Sequence, residues 1–461
     1  MQVSVPSASS VANLHKVRLN RTVAAASITA ALGGLLFGFD TAVISGVTKA
    51  LNGEFHLPAA GFASAFTVAV ALWGTLLGAA IGGFLGDRFG RRYSLRILAV
   101  LFALSAVGCA VAWDWYSFVA FRFVAGLAIG ASSVVGPMYI AEIAPAYWRG
   151  RMVALFQLNI VFGILVAYFS NYVIGRMDFG NIEWRWKLGV SAIPAVLFFV
   201  MLFRIPRSPR WLMEKGRVEE ARAVLLMVAG PSAPFEYKAI EESIEADREA
   251  GNQPLFSRRY RIPVMLAITL ALFNQFSGIN PILYYLNDIF ASAGFSKVSS
   301  DLQAVAVGAT NMLFTVVAMS VIDRVGRKKL LLVGSIGTCV CLSMMSIIKY
   351  TGRFQGEFLW PLVGFVAFFA VSQGSVIWVY ISEIFPNTVR GKGQSLGSFT
   401  HWIACASLAN LFPIVAKHSP SAPYIFCASM MLLQLIVIGK FFPETKGYTL
   451  EELQAKLETI E

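Results

Sequence analysis

Twelve apolar stretches, each close to the length a helix needs to cross a bilayer, follow one another along the chain. They lie near 22–47, 61–86, 95–112, 115–141, 151–175, 187–205, 260–290, 302–322, 330–349, 358–382, 393–416 and 421–440. A crossing helix needs about 20 apolar residues, and in lipid its backbone hydrogen bonds must close within the segment. The spacing therefore predicts an all-α membrane protein with twelve transmembrane helices. Composition agrees, since 57% of the 461 residues are hydrophobic and 14% are charged, against about 25% charged in soluble domains. The formal charge of +12 does not point to nucleic acid, which needs Lys and Arg clustered on one soluble face. Here they fall between the apolar runs.

Their distribution orients the chain. With the N-terminus inside, the inner segments hold 29 of the 38 Lys and Arg and the outer loops hold 8, which leaves Arg122 within a span. That asymmetry predicts cytoplasmic termini and a plasma-membrane protein (the inner membrane in a bacterium). The opening MQVSVPSASSVANLHKVRLNR has no apolar core, so no cleaved signal peptide is expected. The expected division is a tail at 1–21, a six-helix bundle at 22–205, a cytoplasmic helical linker at 206–257, a second bundle at 258–442 and a tail at 443–461. In the linker, SPRWLMEKGRVEEARAVLLMVAG reads as an amphipathic helix against the cytoplasmic face, and EYKAIEESIEADREA as a solvated one. The five cysteines sit in apolar runs without metal-ligand spacing and are expected as buried thiols. No metal, cofactor or enzymatic activity is expected.

The two halves repeat. GDRFGRR at 86–92 returns as IDRVGRKK at 322–329, and YIAEIAPAYWRGR at 139–151 returns as YISEIFPNTVRGK at 380–392. PRSPRWL after span six is likewise similar to PETKGYTL after span twelve. Parallel repeats of six spans place a substrate cleft between two bundles, which alternate its opening by rocking. The repeated acids and bases, Asp87, Arg91, Glu142 and Arg149 in one half and Asp323, Arg327, Glu383 and Arg390 in the other, fall at the cytoplasmic ends of their spans. Surface pairs contribute only about 0–1 kcal/mol each, yet several together can latch the bundles when the inside is closed.

These motifs, with GLLFGFDTAVISG at 34–46, NQFSGIN at 274–280 and PETKGYTLEEL at 443–453, make the chain similar to the sugar porter family of the major facilitator superfamily. The resemblance covers nearly the whole chain. It implies the major facilitator fold, transport of a monosaccharide, and the sugar, the proton and the bilayer as partners of a monomeric working unit.

Away from the span ends, only Asp40 and Arg122 are charged. An ionisable residue in a membrane segment is a functional candidate. Span one runs outward and span four inward, which puts both residues at similar depth in the outer half. Burial favours the protonated carboxyl, and a nearby guanidinium the ionised one. A pair that closes and opens during transport would let Asp40 carry a proton each cycle; a permanent structural salt bridge remains the alternative. Proton-coupled members of the family resemble this chain in having Asp at the position of Asp40, although a Glu found in a xylose-transporting member is replaced by Ser191.

A sugar needs neutral donors and acceptors with an aromatic face. Gln157, Asn274, Gln275, Asn280, Asn311, Trp378 and Trp402 offer these from spans five, seven, eight, ten and eleven. Pro281 is expected to loosen span seven so that its amides converge. By resemblance Gln157, Gln275, Asn280, Asn311 and Trp378 contact the sugar, Phe37 and Trp402 line its site, and Tyr284 and Tyr285 close the outer side. His401, where relatives carry amides, reads as a binding-site hydrogen-bonder rather than a proton relay, and Asn274 and Ile164 also depart from the pattern. The combined expectation is a sugar–proton symporter. A facilitator of the same fold, a polyol or inositol symporter and a non-transporting sensor stay open.

Overall fold

Lipid offers the backbone no hydrogen-bonding partner, and every regular element among the described residues is helical. The computed structural model describes residues 19–58, 61–250, 253–386 and 388–446, the side chains of 146 and 246–250 aside. Among the described residues twelve helices are long and apolar enough to cross a membrane: Arg21–Gly46, Phe62–Phe89, Arg91–Ala110, Trp115–Ile143, Tyr147–Gly175, Gly180–Met201, Arg258–Tyr284, Lys297–Val325, Arg327–Thr351, Gln355–Ile384, Arg390–His418 and Ala422–Phe441. The sixth begins several residues earlier than expected, so Glu183 and Lys187 belong to it. Small residues bring helices close: a Cβ on Gly126 of span four would lie 1.9 Å from the Ala71 carbonyl oxygen of span two.

Three spans are broken, the sixth by a turn at Val190–Ser191 between Glu183–Gly189 and Ala192–Met201. Span seven stops at Phe276, turns through Gly278 in the left-handed region at φ 82, and resumes as Ile279–Tyr284 and Leu286–Ser292. Pro281, which the sequence expectation has loosening this span, lies four residues beyond Ser277 at the break. It sits in the first turn of the resumed helix, where a missing N–H leaves no bond unmade. Span ten breaks at Ser372 into Leu359–Val371 and Gln373–Ile384, a discontinuity that the sequence reading missed.

The repeat is also visible in three dimensions. The Tyr139 hydroxyl donates to the Pro206 carbonyl at 2.9 Å, and that of Tyr380 to Pro443 at 3.0 Å. The turns between spans two and three and between eight and nine pass through Gly90 and Gly326, both at positive φ. Trp211 covers the first and donates to the Asp87 carbonyl, while the Glu444 carboxylate covers the second and accepts from the Arg327 and Lys328 amides. The segment after each six-span half thus pins the same turn of its own bundle.

The linker forms three helices, Pro209–Glu214, Val218–Ala229 and Ala233–Ala250. The last is not solvated all round: Ala233 is buried and Tyr237 and Ile240 pack on the apolar core of the first bundle. Lys238, Glu241, Glu242 and Glu245 stay exposed, a division which the composition alone concealed.

Apolar packing divides unequally between the two membrane faces. On the face away from the linker, one continuous core joins both halves, from Phe39, Val68 and Tyr168 to Ile282, Leu342 and Trp402. On the linker face each half has its own core, one around Leu98, Tyr139 and Phe198, the other around Leu270, Leu331 and Tyr380. Apolar packing therefore joins the bundles at the far face and not at the linker face.

Candidate coupling and substrate sites

Arg122 of span four donates to Asp40 of span one in a direct ion pair. The arginine side chain is 2% exposed and that of the aspartate 19%. Both lie in the first bundle, so the pair does not bridge the halves. Beside it is a cavity of about 20 Å³ lined by Asp40, Arg122, Ser105, Cys109 and Ser191, room for one water. The Ser191 hydroxyl donates to the Leu188 carbonyl at 2.7 Å and supplies no charge. Span one packs against the resumed helix Ile279–Tyr284 of span seven. The span that carries Asp40 thus adjoins the broken element of the other bundle.

The amides of span seven converge through the break at Gly278. The Gln275 Nε2 lies 3.0 Å from Asn274 Oδ1, and its Oε1 accepts from Asn280 Nδ2 at 2.9 Å. The same Nε2 lies 3.1 and 3.0 Å from the two ring nitrogens of His401. Asn274 Nδ2 faces the Gln373 carbonyl at 3.3 Å, beside the break in span ten. Which ring nitrogen can accept from Gln275 is set by the tautomer of His401. Its ring stands 5.1 Å from that of Trp378 and 5.0 Å from that of Trp402, and Trp402 meets Phe37 of the first bundle at 5.5 Å. Gln157 is half-buried and Asn311 buried, and no hydrogen bond joins either to this cluster. Tyr284 and Tyr285 are buried, and the Tyr285 hydroxyl donates to the Ala409 carbonyl at 3.2 Å.

The repeated charges pair within their own bundles. Arg91 holds Asp87 at 3.1 Å and Glu142 at 2.9 Å; Arg327 holds Asp323 at 3.1 Å and Glu383 at 2.9 Å. Glu383 also accepts from the Thr445 hydroxyl at 2.6 Å. Arg149 lines a cavity of about 300 Å³ with Glu142 and the linker helices, and the nearest acceptor of Arg390 Nε is the Phe385 carbonyl at 3.5 Å. Among the described residues no ion pair of the repeated motifs crosses between the bundles on this face.

Sequence reasoning missed one constellation. Lys187, Glu183 and Asp301 are buried ionisable groups on the far face. Their positions at the span ends made them look like loop charges. The spacing of Glu183 and Lys187, one helical turn apart, was the available signal.

Two bundles of six helices, with broken helices and neutral polar groups meeting between them, define a membrane transporter. The sequence pattern of the family "Sugar (and other) transporter" matches residues 26–457. The chain belongs to that family: it is a multi-pass transporter and not an enzyme. It is 37% identical to the D-xylose-proton symporter of Escherichia coli (strain K12) over 93% of this chain and 94% of that one. It is 36% identical to the arabinose-proton symporter of Bacillus subtilis (strain 168), covering 93% of each. The glucose transport protein of Synechocystis is 36% identical, over 92% of this chain and 95% of that one. Among solved structures, the partially occluded inward-open conformation of the xylose transporter XylE from E. coli superposes with a TM-score of 0.83 at 34% identity, covering 93% of this chain and 99% of that one. The XylE complex with 6-bromo-6-deoxy-D-glucose gives 0.79 at 36% identity, covering 95% and 99%.

Proposed function

We propose that the chain is a proton-coupled symporter of a neutral monosaccharide, a pentose or hexose. It works by alternating access as a single chain in the plasma membrane, with the linker face and both termini cytoplasmic. The observation that carries this reading is the buried Asp40–Arg122 pair, on a span that packs against the resumed helix of span seven in the opposite bundle. The relatives named for xylose–proton and arabinose–proton symport support the substrate class.

With the outer side open, a proton on Asp40 removes the charge that holds Arg122 and frees span one to move against Tyr284. Sugar hydroxyls take over hydrogen bonds that Gln275, Asn280 and Asn274 make among themselves, with Gln157 and Asn311 completing the ring. The ring faces of Phe37, Trp378 and Trp402 cover the apolar side of the sugar. Once the inside opens, the proton leaves to cytoplasmic water and the pair re-forms. In the structure the Asp40–Arg122 pair is made, which fits the state after proton release. The Asp87–Arg91–Glu142 and Asp323–Arg327–Glu383 groups, with Arg149 and Arg390, close the cytoplasmic side in the opposite state. The membrane potential supplies about 2.3 kcal/mol per proton for each 100 mV.

The test uses Asp40→Asn in proteoliposomes with an imposed proton gradient. Sugar accumulation disappears while sugar–sugar exchange continues. Accumulation that persists in this variant excludes Asp40 as the coupling group, and wild-type flux indifferent to the gradient makes the chain a facilitator.

A further inference from the structure

The far face carries buried charges that the transport reading leaves unused. Lys187 of span six has no exposed surface. Its Nζ lies 2.8 Å from Glu183, donates to the Gly46 carbonyl at 3.2 Å, and lies 3.7 Å from Asp301 of span eight. The second oxygen of Glu183 takes Lys297 Nζ at 2.6 Å. Asp301 accepts from the Asn287 amide, whose oxygen accepts from the Ser45 hydroxyl at 3.1 Å. One residue further along, the Thr48 hydroxyl donates to Asp288 at 2.7 Å.

Four of these contacts join the bundles: Lys187 to Asp301, Glu183 to Lys297, Ser45 to Asn287 and Thr48 to Asp288. This is the reverse of the linker face, where every ion pair of the repeated motifs stays within one half. The chemistry suits a contact that must be made and broken. A buried lysine deprived of its acids in a closed interface is strongly destabilising, but water repays most of that loss once the interface opens. The two states then differ by a small free energy, which is what a reversible closure requires.

We propose that Lys187, Glu183, Lys297 and Asp301, with the hydrogen bonds of Ser45 and Thr48, form a polar lock that holds the outer side shut while the cytoplasmic side is open. The lock alternates with the repeated charges of the opposite face. It rests on the alternating-access reading but not on proton coupling by Asp40, so the two readings fail separately.

Spin labels at Tyr116 and Phe354, exposed residues at the outer ends of the two bundles, report the opening of that face as a distance distribution. The native thiols are buried or half-buried, and unsubstituted protein gives the background. In the wild type without sugar the short, closed distance dominates. Lys187→Met and Asp301→Asn raise the ratio of long to short distances about ten-fold, and Asp301→Glu restores it in part. Lys297→Met removes a cross-bundle pair from an exposed side chain and shifts the ratio the same way by less; 1 M salt narrows the difference from wild type. A merely structural cluster would lower the unfolding temperature and leave the distances unchanged. Wild-type distances in folded Lys187→Met overturn the proposal; if that variant does not fold, wild-type distances in Lys297→Met do so.

Discussion

Gln275 is shared three ways, donating toward Asn274 and His401 and accepting from Asn280. Truncating it strands the buried Asn274 and His401 and the half-buried Asn280, and a buried polar group left unsatisfied costs about 1–3 kcal/mol. Gln275→Ala should raise the KM for sugar uptake by about ten- to a hundred-fold, more than an isolated amide would. His401→Gln keeps a hydrogen-bonding group facing Gln275 and should leave the pH profile of accumulation in place, whereas Asp40→Asn flattens it. A flattened profile in His401→Gln would put the imidazole on the proton path. At this scale Asp40 and Arg122 were legible because two charges in long apolar runs have few possible explanations. Lys187 was not, since its burial depends on where span six begins and on an acid from span eight.

The break in span seven belongs to the scale of the element. Gly278 holds a positive φ, and a Cβ there would lie 2.7 Å from the Cys427 sulfur of span twelve. Gly278→Ala therefore meets both backbone strain and a close neighbour, and should lower stability by about 1–3 kcal/mol. Pro281→Ala, in the first turn of the resumed helix, should change it by less than about 1 kcal/mol. Thermal unfolding of the two purified variants checks the pair, and equal losses would mean that Pro281 shapes the break after all. Sequence reasoning chose the proline because its missing donor is a local property. The left-handed turn is favoured by glycine but imposed by packing against span twelve.

Across the whole molecule, two halves that repeat in sequence are not equal in energy. Arg91 is 5% exposed and its partner Glu142 is 9% exposed; Arg327 and Glu383 stand at 11% and 28%. Arg91→Leu leaves a buried carboxylate unpaired and should cost about 3–5 kcal/mol. Arg327→Leu should cost less than half as much, because Glu383 keeps some solvent and the Thr445 hydroxyl. Unfolding temperatures of the two variants measure the asymmetry, and equal shifts would show that the linker helices do not add to burial around Glu142.

Twelve spans, their grouping into two repeated sixes and the isolation of Asp40 and Arg122 were written in the sequence, because hydrophobic length and the repeat of charged motifs are local and survive without coordinates. The convergence of Gln275, Asn280 and His401 was only partly readable, since side chains 126 residues apart meet through a helix break whose cause lay in a neighbouring span. Which face was shut, and that buried charges shut it, was decided by tertiary structure alone. The same residues must serve both states of a rocking pair of bundles, and their free energies differ by too little for composition to choose between them.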